Sequence, residues 1–370
     1  MPLDDQKYLQ KVKTDWDRRA KADSKYWVEV RAFKEDEFRK SAKQDSDLLL
    51  DILPGLNKDA VILDLGCGIG RMVWALRKKN FQNVYGVDVS HEMIKKGKEW
   101  LTQTNCNTNC LFVNNGLDLS FLRSESFDLI YSFAALQHMP KSVVAKYFQE
   151  VCRTLKIGGH FSSQFWIGTP NDVNSMDTLN LRVYSNEELK ILNQNLPFHE
   201  IKRIQIDYLD PVLKLHPQWV TLQKSGIFQD EPRSHQFNFN EENQSNLDEK
   251  KTEVSLFHFH AKKLLDNKDI TGALRMLDYC IETDNEYTPA YFMKGDLLIE
   301  LGKIKEGLET YEKILPNKAG RHSALIRIAE IQFSLGKLQK AREALKTLLE
   351  LNDLPEKIKR MAEQFYSKLQ

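Results

Sequence analysis

Residues 61 to 70 read Val-Ile-Leu-Asp-Leu-Gly-Cys-Gly-Ile-Gly, an apolar run that stops at three glycines spaced two apart, with Asp64 two residues before the first. Such a string is a buried strand turning sharply into a helix. Gly66, Gly68 and Gly70 are needed at the bend because the turn demands backbone angles that other residues resist, and because a side chain would block a ligand's approach to the backbone. The dinucleotide fingerprint Gly-x-Gly-x-x-Gly aims a helix N-terminus at a pyrophosphate. Here the spacing differs, and Asp64 stands where it would repel phosphate. A nucleoside with a cationic amino group and no phosphate suits the bend better.

The downstream pattern follows in order. Val84-Tyr85-Gly86-Val87-Asp88-Val89-Ser90 is a second strand ending in an acid that can accept both hydroxyls of a ribose. Leu111 to Leu119 supplies a third strand and a polar turn, and Ser126 to Phe133 a fourth strand, followed by Ala134-Ala135-Leu136-Gln137-His138-Met139-Pro140. Lys156-Ile157-Gly158-Gly159-His160-Phe161 reads as a helix stop and a turn into a fifth strand. Glu200 to Tyr208 and Trp219 to Lys224 read as two further strands.

Taken together these segments resemble the class I S-adenosylmethionine-dependent methyltransferases over about residues 55 to 225. The resemblance implies a Rossmann-like α/β domain with a seven-stranded mixed sheet, its last two strands antiparallel at one edge. It also implies S-adenosylmethionine as cofactor, held by Asp64, Gly66, Cys67, Gly68, Gly70, Asp88 and Val89, with Leu117 and either Asn115 or Asp118 at the adenine. Relatives carry Gly-Asp where this chain has Asn114-Asn115, which leaves that choice open. Cys67 reads as a small residue beneath a ligand, Arg71 as a solvated helix residue, and Asp128, which opens its strand, as a structural acid.

The first 54 residues place Trp16-Asp17-Arg18-Arg19-Ala20 and Tyr26-Trp27-Val28 ahead of the first strand. A similar Trp-x-x-Arg-Ala opening in some members of the class implies a helical lid over the cofactor. Arg19 would then fork onto the methionine carboxylate; otherwise these aromatics are the apolar face of helices packed on the domain. His138, after the fourth strand, is the candidate general base for an acceptor that must lose a proton. The alternative is that it only packs or caps. No metal site is expected.

A second signal begins at residue 254. Ala261, Gly295 and Ala329 are 34 residues apart, as are Ala273, Gly307 and Ala341. Phe257, Tyr291 and Leu325 keep the same period, as do Ile270, Ile304 and Leu338, and Leu277, Tyr311 and Leu345. Small columns let paired helices approach closely, and bulky columns fill the space between pairs. Gly302 and Gly336 mark the turns of the second and third units, with Lys268 in their place in the first. The pattern resembles the tetratricopeptide repeat, and implies an all-α solenoid with repeats at 254–287, 288–321 and 322–353, capped by a helix over 354–370. Between the two parts, 226–253 reads as a polar linker.

With 53 Lys and Arg against 52 Asp and Glu, the formal charge of +1 provides no field to gather nucleic acid or an anionic membrane. No run reaches the ~18 apolar residues of a membrane span. Five cysteines without metal spacing read as reduced thiols, and the expected location is the cytoplasm. The Asn/Asp-Pro-Pro-aromatic tetrad of base and glutamine methylases is replaced by Tyr131-Ser132-Phe133-Ala134. Two readings of the acceptor follow: a small molecule or glycan methylated at oxygen or nitrogen, with the repeats binding protein partners, or a protein substrate recruited by the repeats.

Overall fold

The computed structural model describes residues 5–30, 32, 34–171, 173–210, 213–228 and 248–369. The chain divides into two units, Met1–Glu249 and Lys250–Gln370.

The first unit opens with two helices, α1 (Asp5–Val28) and α2 (Glu35–Ile52). Then come β1 (Ile62–Leu65), α3 (Arg71–Lys78), β2 (Val84–Asp88), α4 (His91–Gln103), β3 (Leu111–Val113) and β4 (Phe127–Ser132). A single 3-10 turn over Leu136–His138 leads to α5 (Lys141–Thr154), β5 (Leu155–Ile167), β6 (Val183–Tyr184), α6 (Asn186–Asn193), β7 (Phe198–Gln205) and β8 (Pro217–Lys224). The sheet runs β3-β2-β1-β4-β5-β8-β7. Pairing is parallel from β3 to β5, and β8 is antiparallel to both β5 and β7. This is the expected Rossmann-like mixed sheet. Its strand order reverses between β1 and β4, and in open α/β sheets the crevice beyond the strand ends at such a switch point is where ligands bind.

Two local features depart from the expectation. Beyond the seven strands, Val183–Tyr184 pairs parallel with Trp166–Ile167, so the sheet has eight. β4 ends opposite Ser163, and β5 runs on past it; the loop after β5 then folds back, with Asn171 bonded to the Leu181 carbonyl and the Val183 amide at 2.8 Å each. The vacated edge of β5 is thereby covered. Second, Gly158 and Gly159 lie inside β5 as a bulge, not ahead of it. The register with β4 jumps from Phe127↔Leu155 to Leu129↔His160, with Gly158 at φ +82°. A Cβ on Gly159 would stand 2.9 Å from the Lys156 carbonyl oxygen.

Alternation along the strands sends Leu63, Leu65, Val87, Ile130 and Phe161 to one face, where they pack with Val144, Phe148 and Val151 of α5 and with Tyr8 and Val12 of α1. α1 is broken at Asp23, whose backbone is extended (φ −158°, ψ 98°). The Asp23 carboxylate accepts the Lys25 and Tyr26 amides at 3.1 and 3.2 Å, capping the short helical piece that follows.

The second unit consists of α7 (Glu249–Asp266), α8 (Ile270–Thr283), α9 (Thr288–Glu300), α10 (Ile304–Glu312), α11 (Lys318–Ser334), α12 (Leu338–Leu349) and α13 (Glu356–Ser367). Ala261, Ala273, Ala329 and Ala341 are fully buried. A Cβ on Gly295 would stand 2.7 Å from the Tyr311 ring, and one on Gly307 2.6 Å from Ile299, so the small columns do set helix approach. Phe257, Tyr291, Leu325, Leu277, Tyr311 and Leu345 are buried. The third bulky column behaves otherwise: Ile270 and Leu338 are exposed, because each is the first residue of its helix and lies at the turn side of the pair. Of the polar stretch expected as a linker, residues 229–247 lie outside the described part, and α7 starts four residues inside its far end. Among the described residues no helix is long and apolar enough to cross a membrane.

Candidate functional site

β1 delivers the chain to the glycine bend at the switch point. Gly66, Gly68 and Gly70 all have positive φ (79°, 53° and 79°), which is why glycine stands at each. The Gly66 and Cys67 amides both donate to the Val87 carbonyl at 2.9 Å, welding the bend to β2. Cys67 is buried under it, against the face of Gly86, where an added Cβ would stand 2.8 Å from the sulfur. Burial pushes its thiol well above the ordinary value, so it is a packing residue rather than a nucleophile.

At the end of β2 the Asp88 carboxylate accepts the Gly68 amide at 2.8 Å through one oxygen and the Ser90 amide at 2.9 Å through the other. Burial moves Asp88 up to about 6, against the pull of those two donors. Asp64 faces Gly86 and Tyr131 across the sheet and is 3% exposed. Burial pushes it up to about 7, with the Tyr131 hydroxyl and the Arg71 guanidinium pulling it back. Its charge at neutral pH is therefore set by what lies against it.

The third-strand turn is self-contained. Asn115 accepts the Leu117 and Asp118 amides and donates to the Asp118 carboxylate at 2.8 Å, while Asp118 also holds Ser120. Val89 leans over Gly116, where a Cβ would meet it at 2.8 Å, and Leu9 of α1 covers the same glycine. Neighbouring Asn114 is buried and donates to the Tyr147 hydroxyl at 3.1 Å.

Arg19 is fully buried on α1. It donates to the Thr178 carbonyl and hydroxyl at 3.1 and 3.0 Å, and its guanidinium lies 5.0 Å from the Trp16 ring and 5.8 Å from that of Trp27. Its other terminal nitrogen donates to the carboxylate of Glu249, the last residue of the first unit, at 3.1 Å, so Thr178 and Glu249 rather than the glycine bend hold its fork. His138 has both ring nitrogens engaged: Nδ1 lies 2.6 Å from the Leu179 carbonyl, which makes it the protonated nitrogen, and Nε2 lies 3.2 Å from the Gln137 amide nitrogen. Trp16 meets its ring edge-on, and burial lowers it to about 4.

Three residues carry more than their sequence context shows. Arg71, expected in solvent, is 2% exposed, bonded to Asp45 at 2.6 Å and Ser41 at 3.2 Å, paired with Glu29 at 3.5 Å, and 5.1 Å from the Phe133 ring. Asp17 of α1 accepts the Ser90 hydroxyl at 2.6 Å and the Glu92 amide at 3.0 Å, capping α4 from another helix. Gln137 accepts the Trp166 indole at 2.7 Å. Their partners lie 26 to 75 residues away along the chain, and no local pattern marks them.

Residues 62–159 match the model of a family described as methyltransferase domain, and residues 288–315 and 322–353 match that of the tetratricopeptide repeat. The chain joins a methyltransferase domain to tetratricopeptide repeats. The methyltransferase domain is 27% identical over 117 residues to a sterol 24-C-methyltransferase of Neurospora crassa (32% of this chain, 30% of that one). It is 38% identical over 111 residues to the 2-methyl-6-phytyl-1,4-hydroquinone methyltransferase of a Synechocystis strain (30% and 32%). The chain spans about a third of the length of the curated relatives it matches. The solved structure of a SAM-dependent methyltransferase from Methanosarcina mazei is 21% identical, covers 47% of this chain and 97% of its own, and has a TM-score of 0.41.

The methyltransferase domain's site fits an adenosyl nucleoside. Asp88 presents a partly open carboxylate at the height of the glycine bend, and Asp64 offers a second beneath it. The Tyr131 hydroxyl is buried beside Asp64, and burial with the neighbouring carboxylate raises its pKa, so it is held protonated there. Among those residues no cluster of His, Cys, Asp and Glu is arranged to hold a metal.

Proposed function

We propose that the protein is an S-adenosylmethionine-dependent methyltransferase acting on a small-molecule acceptor, with the repeats binding a protein partner. The observation that carries this reading is the join of Asp88 to the Gly68 amide at the switch point, a carboxylate locked to a glycine bend. Asp88 would accept the ribose hydroxyls, the bend would admit the ligand to the backbone, and Asp64 would face its ammonium group. Val89 and Leu117 would flank the adenine, read by Asn115 or Asp118 once their mutual bond opens. Arg19 would reach the ligand's carboxylate only by leaving Thr178 and its ion pair with Glu249.

The bound sulfonium supplies an already activated methyl group. What the chain adds is position: it holds the acceptor in line, and it excludes water by covering the bend with α1. For an acceptor that loses a proton, His138 would serve as base at Nε2 after shedding the Gln137 amide.

A small acceptor is favoured because α1 lies over the bend, and because the two relatives named above act, by their names, on a sterol and on a phytyl hydroquinone. The first of those names describes a carbon-methylating enzyme, so carbon joins oxygen and nitrogen as the atom methylated. The repeat unit favours the second reading, a protein substrate presented by the repeats. The free and buried Cys67, Cys152 and Cys280 suit a reducing compartment, and we place the enzyme in the cytoplasm.

The test is incubation with methyl-labelled S-adenosylmethionine and fractionated cell extract, with the full chain and with a chain lacking 250–370. Label in low-mass fractions with either chain supports the small-molecule reading. Label in protein bands that vanishes with the repeats removed supports the other.

A further inference from the structure

Glu249 falls inside the stretch that reads from sequence as a linker, yet its side chain is engaged within the first unit, of which it is the last residue. One carboxylate oxygen accepts the Thr178 amide at 3.1 Å, the Thr178 hydroxyl at 2.7 Å and the Arg19 guanidinium at 3.1 Å, and the other accepts the Lys11 ammonium at 2.9 Å. Burial pushes this carboxyl up, but hydrogen bonds from Lys11 and Thr178, with the charges of Lys11 and Arg19, hold it down to about 2. It is therefore ionised throughout the neutral range. Lys11, Asp15 and Arg19 are spaced four apart and share one face of α1. Glu249 joins them around the Thr178 hydroxyl, which lies 2.7 Å from Asp15 and accepts from Arg19 at 3.0 Å.

Two short paths lead from this carboxylate to His138. Thr178 is followed by Leu179, whose carbonyl takes the His138 Nδ1 hydrogen at 2.6 Å. The segment around it is braced: Asp177 accepts the Leu179 and Asn180 amides at 2.8 Å, and Arg182 donates to the Asn174 and Asp177 carbonyls at 2.9 Å and to the His138 carbonyl at 2.8 Å. The other path runs through Arg19, whose guanidinium lies 5.0 Å from the Trp16 ring, and Trp16 meets the His138 ring edge-on at 5.8 Å. The hydrogen bond that orients the imidazole and a ring that packs on it thus both trace back to Glu249.

We propose that Glu249 is a positioning residue for methyl transfer, fixing His138 on the acceptor side of the site through Thr178 and Leu179 and through Arg19 and Trp16. This rests on the reading of His138 as the group that faces the acceptor. A charge cluster is a costly way to fasten a chain, since each group gives up its hydration, and an apolar residue at 249 would serve for packing. The carboxylate supplies what an apolar group lacks: directed bonds to the Thr178 amide and to the Arg19 fork. Because Glu249 is also the first residue of α7, the point at which the repeat unit joins the chain takes part in the reaction.

The test compares full-length wild type with Glu249→Gln, Thr178→Val and Thr178→Ser. Label transfer from methyl-labelled S-adenosylmethionine into cell extract reads turnover, and calorimetry with S-adenosylhomocysteine reads cofactor affinity. Nitrogen-15 spectra of the histidine rings, with His138 assigned by its absence in His138→Asn, read the tautomer. Glu249→Gln should lose ~10-fold or more in turnover, the scale expected when a reacting group is misplaced by a fraction of an ångström, with no loss of cofactor affinity. The Nε2-protonated form of His138 should appear beside the Nδ1-protonated one. Thr178→Val, which keeps the amide and removes the hydroxyl, should shift both readouts the same way by a smaller factor, and Thr178→Ser should restore them. That pair decides the matter should Glu249→Gln fail to fold. Wild-type turnover in the Glu249 and Thr178→Val variants, or lost turnover with the His138 signal unchanged, would overturn the role of Glu249 while leaving the methyltransferase standing. No label transfer by the wild type would overturn the methyl-transfer reading and this role with it.

Discussion

The Asp88 carboxylate accepts the Gly68 amide hydrogen at 2.8 Å, tying the end of β2 to a bend 20 residues earlier. One bond thereby fixes both the backbone that approaches a ligand and the acid that would grip its sugar. Replacing Asp88 with Asn keeps the shape and one acceptor oxygen but removes the charge. Affinity for S-adenosylhomocysteine, read by calorimetry, should fall ~10- to 100-fold, the loss expected of one or two hydrogen bonds to a charged group. Melting temperature should also fall by a few degrees, because either the Gly68 or the Ser90 amide then faces the NH2 of asparagine instead of an acceptor oxygen.

Asp64 gives a pH signature. Burial raises its pKa from the ordinary carboxylate range to about 7, so the folded, ligand-free protein binds a proton that the unfolded chain gives up near pH 4. The stabilising contribution is complete below pH 4 and is lost as pH rises through 7. Asp64→Asn should therefore be more stable than wild type at pH 8, with the difference vanishing at pH 4, in urea titrations across that range. A ligand ammonium needs the ionised form, so wild-type affinity should rise between pH 5 and pH 8, and the variant should lose the part of the rise centred near pH 7 while keeping the part near pH 6 that belongs to Asp88.

His138 runs the other way. Its pKa is lowered to about 4, so the stability it contributes is present above pH 6.5 and lost as pH falls through 4. His138→Asn, which can still donate to the Leu179 carbonyl, should remove that part of the acid sensitivity. At saturating cofactor, turnover by His138→Asn that falls at least ~100-fold and loses the acid limb of the wild-type profile would assign His138 as the base; turnover near that of the wild type would leave it a packing residue.

The glycine bend and Asp88 were legible in the amino-acid order because their requirement is local: positive φ at Gly66, Gly68 and Gly70, and an acid closing the next strand. The 34-residue period was legible for the same reason, since each small column meets its neighbour at fixed spacing. Arg71 and Arg19 were not legible, because an arginine's burial is decided by distant partners, Asp45 and Thr178, and by aromatic rings that local sequence does not place beside it. Gly158 and Gly159 were read as a turn before β5, since a bulge within a strand and a turn before it use the same residue type. The exposed Ile270 and Leu338 show that a shared period places residues at equivalent points without deciding whether those points are inside.

The repeats offer a stabilising change. Lys268 adopts φ +63° at the turn where the next two repeats carry Gly302 and Gly336 at +74° and +70°. Lys268→Gly removes the Cβ strain of a left-handed residue and should stabilise the repeat unit by about 0.5–1 kcal/mol, net of the extra chain entropy. Hydrogen exchange in α7 and α8 should slow. Gly295→Ala should do the reverse, by about 1–3 kcal/mol, as its methyl is driven into the Tyr311 ring.

Calorimetric titration of the purified full chain with S-adenosylmethionine, S-adenosylhomocysteine and NAD tests the central claim most directly. The account predicts one-to-one binding of both adenosyl nucleosides, weakened by Asp88→Asn, and no heat from NAD. Binding of NAD with no response to either nucleoside would contradict it.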